Sequence, residues 1–244
     1  MRDTLRFDRR FRGFEDGALG GFAAGAVAKR IDGPAEVNLR SLPPMDRELE
    51  LRDADGGALE LYDGDTLVLE AHGFELGLEP PPAPSLEAAE EANGRLIHDE
   101  SGHLYPGCFT CGHGRDPGDG LRLFMGRLEP GGERLAAAWT PDPALGDDDG
   151  ALPEELLWAA MDCPTIWAAW SPTYPVDWGE GFTVLARQRV ELLASVPTGE
   201  PAIVTAWPIS AEGRKYLSGA AIADADGREL VRAESLLVRV PGRT

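Results

Sequence analysis

One carboxyl group stands almost alone among apolar neighbours. Between Leu156 and Val176 the only charged residue is Asp162, inside Trp158-Ala-Ala-Met-Asp-Cys-Pro-Thr-Ile-Trp167. Two positions later, Pro164 lacks the N–H that would bond the Ala160 carbonyl, so a helix through this stretch should kink beside the acid. A carboxylate in apolar surroundings must be hydrogen-bonded, have its pKa raised, or meet a polar ligand. Asp162 is therefore the first candidate for chemistry. The competing reading makes it a satisfied buried acid that caps the backbone groups Pro164 releases. Cys163 and Thr165 flank it and belong either to a pocket or to the core, and Trp158, Trp167 and Trp170 could form the apolar wall of a ligand site.

The other concentration of reactive side chains is His98, His103, Cys108, Cys111 and His113, which holds three of the four histidines and two of the three cysteines. Cys108-x-x-Cys111 is a zinc-ligand spacing, and one or two of the histidines could complete a tetrahedral set. No second Cys-x-x-Cys and no regular His-x-x-x-His accompanies it, so a plain reduced loop without metal is the preferred expectation and zinc the lesser one. Cys163 reads as inert packing, because no histidine is near it in sequence and burial raises a thiol pKa.

The elements that must hold these residues can be read from pattern. Leu152 to Trp170 predicts a helix that starts at Pro153, with Glu154 and Glu155 suiting its N-terminal dipole. From Leu156 onward it is apolar on every face, which implies that a sheet wraps it. A second helical pattern, Asp16 to Ile31, is made almost wholly of Ala and Gly. Gly costs a helix about 1 kcal/mol relative to Ala, so Gly20, Gly21 and Gly25 together imply a close neighbour: a sheet, another helix or a ligand. Alternating segments over 35–42, 48–52, 58–62 and 66–71, with Asp-Gly turns between, predict antiparallel strands. Glu79-Pro-Pro-Pro-Ala-Pro84 reads as a stiff linker, followed by a short helix from its cap Ser85 to Asn93. Strands should resume at 121–124 and 134–139, and after the central helix at 182–193, 200–209, 215–225 and 229–240.

Asp16-Gly-Ala-Leu19 recurs as Asp149-Gly-Ala-Leu152, each time opening an apolar helix followed by strands. The shared order of elements implies two copies of one unit, an N-terminal repeat over 1–78 and a C-terminal repeat over 107–244, joined by the Pro-rich segment and short helix over 79–106. Lys29 occupies the place of Asp162 in the first copy, so the copies are not chemically equivalent. The formal charge of −19 argues against nucleic acid. A small phosphorylated ligand would need a local cluster such as Arg6, Arg9, Arg10 and Arg12 or the pair Arg187 and Arg189, although solvated charge is the plainer reading of each. No apolar run reaches the roughly 18 residues of a membrane span, the first ten residues lack an apolar signal core, and three cysteines do not suggest a disulfide framework. A soluble cytoplasmic protein with no membrane partner is expected.

A sheet wrapped round one apolar helix, in two copies, resembles the α+β hotdog fold in its double form. Cys108-Phe-Thr-Cys-Gly112, Gly118-Asp-Gly-Leu-Arg-Leu-Phe124, Trp158-Ala-Ala-Met-Asp-Cys-Pro164 and Asp224-Ala-Asp-Gly-Arg-Glu-Leu-Val231 are similar to the thioesterase-like hotdog proteins of bacteria. That resemblance implies hydrolysis of an acyl thioester, commonly of coenzyme A, by an acid on the central helix acting as base or nucleophile. Asp162 holds that place. Such enzymes polarise the thioester carbonyl with a backbone N–H near a helix start, where many carry His-Gly-Gly; here that place reads Ala151-Leu-Pro153-Glu154, while Gly20-Gly21 keeps a glycine pair in the other copy. In a fused pair the acid and the glycine turn could face one another, or the site could be dead. The substrate-binding candidates are Gly20, Gly21, Trp158, Thr165 and Trp167, with no cofactor beyond coenzyme A as part of the substrate, and a homodimer as the assembly. The alternative functions are a non-catalytic binder of acyl or aromatic ligands and a structural role for a degenerate duplicate.

Overall fold

Leu156 to Trp170 has no polar face to offer water, and the chain encloses it. The structure is a computed structural model that describes residues 3–98, 105–173 and 182–241; His103 lies outside the described residues. The long helix α3 (Glu154–Trp170) has Pro153 as its N-cap, one position earlier than the pattern implied, and nearly every side chain from Leu156 to Trp170 is buried. It packs against the strands β10 (Phe182–Leu192), β11 (Ala202–Glu212), β12 (Lys215–Asp224) and β13 (Glu229–Val240), and against a second helix, α1 (Gly20–Ala28). The helix expected over Asp16–Ile31 is thus nine residues long, and only α3 has the length the sequence suggested for both.

Before α1 come β1 (Asp3–Leu5) and a small two-stranded ribbon of β2 (Arg12–Phe14) and β3 (Gly17–Ala18); after it come β4 (Ala35–Leu39), β5 (Leu49–Asp53), β6 (Leu59–Asp63) and β7 (Thr66–Gly73). Between β7 and α3 come α2 (Leu86–Asn93), β8 (Gly126–Arg127) and β9 (Leu135–Trp139). Ser85 caps α2 through a 3.2 Å bond from the Ala88 N–H, as its position before the helix implied. The main sheet has eleven strands in the order β1-β5-β6-β7-β4-β10-β13-β12-β11-β9-β8. The two halves meet where β4 runs antiparallel to β10, with Arg187 opposite Asn38 and Val190 opposite Ala35.

Period-two alternation placed most of these strands correctly. Leu121–Phe124 is the exception: its backbone turns to the cysteine loop, with Leu121 N–H bonded to the Phe109 carbonyl at 2.8 Å and Leu123 N–H to Thr110 at 2.9 Å. Arg122 takes a left-handed φ of 50° there, which breaks a strand. At the β4–β10 junction, Arg189 meets Glu36 at 2.6 Å and Glu234 at 2.8 Å, and Arg187 reaches the same two carboxylates. That pair of arginines is therefore committed to the sheet and not offered to a phosphate.

The close neighbour implied by the glycines of α1 is α3. A Cβ on Gly25 would lie 2.7 Å from both Glu155 Cα and Trp158 Cβ, and one on Gly21 would lie 2.7 Å from the Trp158 carbonyl oxygen. Glycines four apart put a side-chain-free stripe on one helix face, and Lys29 extends the same line to Glu155 with a 2.9 Å ion pair. Gly25→Ala would gain about 1 kcal/mol of helix propensity but force overpacking that costs about 1–3 kcal/mol or more against a backbone that cannot yield. Urea unfolding should therefore show Gly25→Ala to be less stable than the parent, while Gly73→Ala, whose nearest neighbour would be 3.9 Å away, shifts stability by less than about 0.5 kcal/mol.

Candidate functional site

Antiparallel packing of α1 on α3 brings the start of the first helix to the middle of the second. The amides of a first helical turn have no partner within the helix, and Gly21 N–H donates to Asp162 Oδ2 at 2.8 Å. The other carboxyl oxygen, Oδ1, is buried and has no hydrogen-bond partner among the described residues. Asp162 is 2 % exposed. Loss of water pushes its pKa up, the Gly21 N–H partly offsets this, and negative charge at Cys108 adds to the rise, leaving it at about 7.

Asp162 borders a cavity of about 260 Å³ between the two halves, lined by Gly20, Trp167, Trp170 and all three cysteines among others. The walls come from the α1 start, the end of β4, the middle of α3 and the first residues of β10. A second, more polar cavity of about 500 Å³ adjoins it, sharing Gly13, Phe14 and Tyr105 and carrying Arg9 and Arg12. Of the arginines near the start of the chain, Arg9 pairs with Asp46 at 3.4 Å and Arg10 with Asp119 at 3.4 Å.

The expected site residues divide. Gly20, Asp162 and Trp167 border the inner cavity, and Gly21 supplies the N–H to the acid. Trp158 instead packs on Gly25, and Thr165 is buried with its hydroxyl donating to the Asp162 carbonyl at 2.7 Å; neither lines the cavity. The tryptophans do not fill the space; a solid filling would have favoured the purely structural role. Sequence reasoning missed Gln188 on β10. It is fully buried and donates through Nε2 to the Trp158 carbonyl at 3.2 Å, and its Oε1 has no partner among the described residues. The available signal was a lone amide at an inward position of an otherwise alternating strand.

Among the described residues, His98 and His113 do not join the cysteines. His113 Nε2 and His98 Nδ1 are 3.3 Å apart, His98 stacks on Trp167 and His113 on Phe124. The third member of the cysteine group is Cys163: its sulfur is 3.6 Å from that of Cys108, which is 3.8 Å from that of Cys111. All three are buried, and none forms a disulfide among the described residues.

The fold is that of the hotdog proteins. Solved structures similar to nearly the whole chain include a tesB protein of Mycobacterium avium subspecies paratuberculosis (15 % identity, 98 % of this chain and 93 % of that one, TM-score 0.62). They also include an acyl-CoA thioesterase II of Mycobacterium marinum (13 % identity, 92 % and 91 %, TM-score 0.58) and a conserved protein of unknown function with a hot dog fold from Alicyclobacillus acidocaldarius (12 % identity, 99 % and 94 %, TM-score 0.60). No protein-family model and no curated protein sequence matches the chain. No helix among the described residues is long and apolar enough to cross a membrane.

The Asp162 environment sets a sign for stability against pH. The folded-state pKa lies above the unfolded value of 3.8, so the unfolded state gives up its proton first and stability falls as pH rises from about 4 to about 7, then levels. Asp162→Asn has no such titration. With chelator and reductant present to keep the cysteines as thiols, denaturant unfolding should show the Asn variant gaining about 2–3 kcal/mol on the parent between pH 5 and 7.5; a pH-independent difference would contradict the burial.

Proposed function

We propose that the protein hydrolyses an acyl thioester, of the coenzyme A type, in the inner cavity, with Asp162 as general base or nucleophile. The observation that carries this reading is the contact of Asp162 Oδ2 with the Gly21 N–H: an acid from one helix and a free helix-start amide from the other converge at one cavity. An entering thioester carbonyl would take the place of Oδ2 at Gly21 N–H, which then stabilises the oxyanion. The displaced carboxylate draws a proton from water as the water oxygen bonds the carbonyl carbon. The carbon–sulfur bond then breaks and the proton passes to the departing thiolate. Trp167 and Trp170 would shelter the acyl or aromatic group. The name of one of the similar structures, the acyl-CoA thioesterase II of Mycobacterium marinum, agrees with this at the level of reaction class.

The architecture is part of the proposal. We read 1–78 and 107–244 as two tandem hotdog repeats joined through 79–106. Supporting this, the order β4-β7-β6-β5-β1 outward from the junction is repeated by β10-β13-β12-β11-β9, with the strand that precedes each helix placed outermost of the five. A homodimer and a cytoplasmic setting belong to the same reading: the sheet ends in β1 and β8 have edges a second copy could cover, and cysteines that form no disulfide among the described residues suit a reducing compartment.

The second reading is a binder that holds an acyl or aromatic ligand without turning it over. It is favoured by the closed Asp162–Gly21 contact and by Pro153, which removes an N–H at the start of α3. Release of free thiol from a panel of short, branched and aromatic acyl-coenzyme A substrates decides between them. The hydrolase reading expects turnover by the parent and a loss of about 10²–10⁴-fold in kcat for Asp162→Asn. Saturable binding with no turnover in either protein would assign the binder.

A further inference from the structure

The hydrolase mechanism makes no use of the three cysteines, yet they are the most organised polar group in the cavity wall. Cys108 and Cys111 sit on a tight loop and Cys163 arrives from α3; each borders the inner cavity. Their sulfurs lie within 4.8 Å of one another, with 3.6 Å and 3.8 Å for the two pairs that involve Cys108. Zinc–sulfur bonds of about 2.3 Å at tetrahedral angles put sulfurs about 3.8 Å apart, so a cation can be placed between them with little movement of the chain.

The loop is built as a ligand loop is. Cys108 Sγ accepts backbone N–H bonds from Thr110 and Cys111, which is how a thiolate is stabilised where no counter-charge stands beside it. The chain turns back through Gly112 N–H to the Cys108 carbonyl at 3.0 Å, and any Cβ at Gly112 would overlap the Pro106 and Cys108 backbone. Supporting bonds hold this turn from three directions. Thr110 Oγ1 donates to the Ala159 carbonyl of α3 at 2.8 Å, Arg115 binds the Gly107 carbonyl at 2.7 Å and the Arg10 carbonyl at 2.6 Å, and Phe109 N–H reaches the Arg12 carbonyl at 2.9 Å. Hydrogen bonds from the Cys111 and Cys163 thiols, aided by the two backbone bonds, hold the Cys108 thiol well below its usual pKa. Burial keeps Cys111 high, and the bonds to Cys108 and Cys111 keep Cys163 high.

We propose that Cys108, Cys111 and Cys163 form a three-thiolate site for one zinc ion, whose fourth position opens to the inner cavity and takes water or a ligand from it. Binding forms three zinc–sulfur bonds as the thiols lose their protons to solvent. Three protein ligands with an open fourth position is the arrangement of a reactive zinc, whereas a closed four-residue set is the structural kind. Among the described residues, His98 and His113 contact each other at 3.3 Å and are not part of the set. The inference stands apart from the hydrolase reading, since it needs only the sulfurs and the cavity.

The test uses the full chain. Protein expressed with added zinc and purified without chelator should hold one zinc per chain by elemental analysis. Zinc X-ray absorption fine structure should count three sulfurs at about 2.3 Å and one lighter atom. After metal removal and reduction, titration with Co²⁺ should raise a thiolate-to-cobalt charge-transfer band that saturates at one equivalent. Cys163→Ser should lose about a third of its intensity and more affinity than the about 10–100-fold that loss of a supporting group costs. The proposal is overturned by wild-type protein that binds neither metal, by a zinc with two sulfurs and two nitrogens, by a cobalt band unchanged in Cys163→Ser, or by a Cys108–Cys163 disulfide in protein isolated under reducing conditions. Should Cys163→Ser fail to fold, the sulfur count on the wild-type zinc protein decides alone.

Discussion

Everything in the cavity depends on two helices approaching so closely that their backbones touch. Gly21 and Gly25 leave no side chains on the face of α1 that meets α3, and this puts the Gly21 amide within 2.8 Å of the Asp162 carboxyl. With alanine at either position the axes would separate and the acid would lose its donor. The approach excludes water, and excluding water makes the carboxyl reluctant to ionise; one N–H softens that cost without removing it. A group held near its point of protonation can both accept and release a proton at neutral pH, which an exposed aspartate cannot.

The same approach explains an asymmetry between the halves. The C-terminal strands are ten to twelve residues long and enclose a seventeen-residue helix. The N-terminal half has strands of two to eight residues, and its helix is nine residues long. The shorter helix has little apolar surface of its own to bury and is stabilised by lying on the longer one. What it contributes to the site is its first turn, and first-turn amides are available in any helix, however short its body. Acid and amide therefore come from different halves, and neither half alone holds both. The sheet junction between β4 and β10, tied by Arg187 and Arg189 to Glu36 and Glu234, fixes the two helices relative to each other.

Much of this was legible in the residues. Apolar character on all faces marked α3 as enclosed, the glycines of α1 announced a close neighbour, and alternation with Asp-Gly turns located nine of the strands to within a few residues. Asp162 stood out because a charge in such a run needs a reason. What could not be read was anything set by distant parts of the chain. Cys163 looked inert because its neighbours in sequence are apolar, whereas its neighbours in space are Cys108 and Cys111. His98 and His113 looked like their partners by proximity in sequence and instead stack on Trp167 and Phe124. Leu121–Phe124 has a strand's composition, but its amides are claimed by the cysteine loop. Trp158 was grouped with Trp167 by residue type, and helical rotation turns it away from the cavity and onto Gly25.

The central claim is that a nearly dry carboxyl on α3 is bonded to the start of α1. It is tested most directly by following the backbone amide resonance of Gly21 against pH in metal-free, reduced protein. The account predicts that this amide shift titrates with a midpoint near 7, as burial of Asp162 dictates, and that the titration vanishes in Asp162→Asn. A Gly21 amide that is flat from pH 5 to 9, or one that follows a carboxyl of ordinary acidity near pH 4, would contradict it.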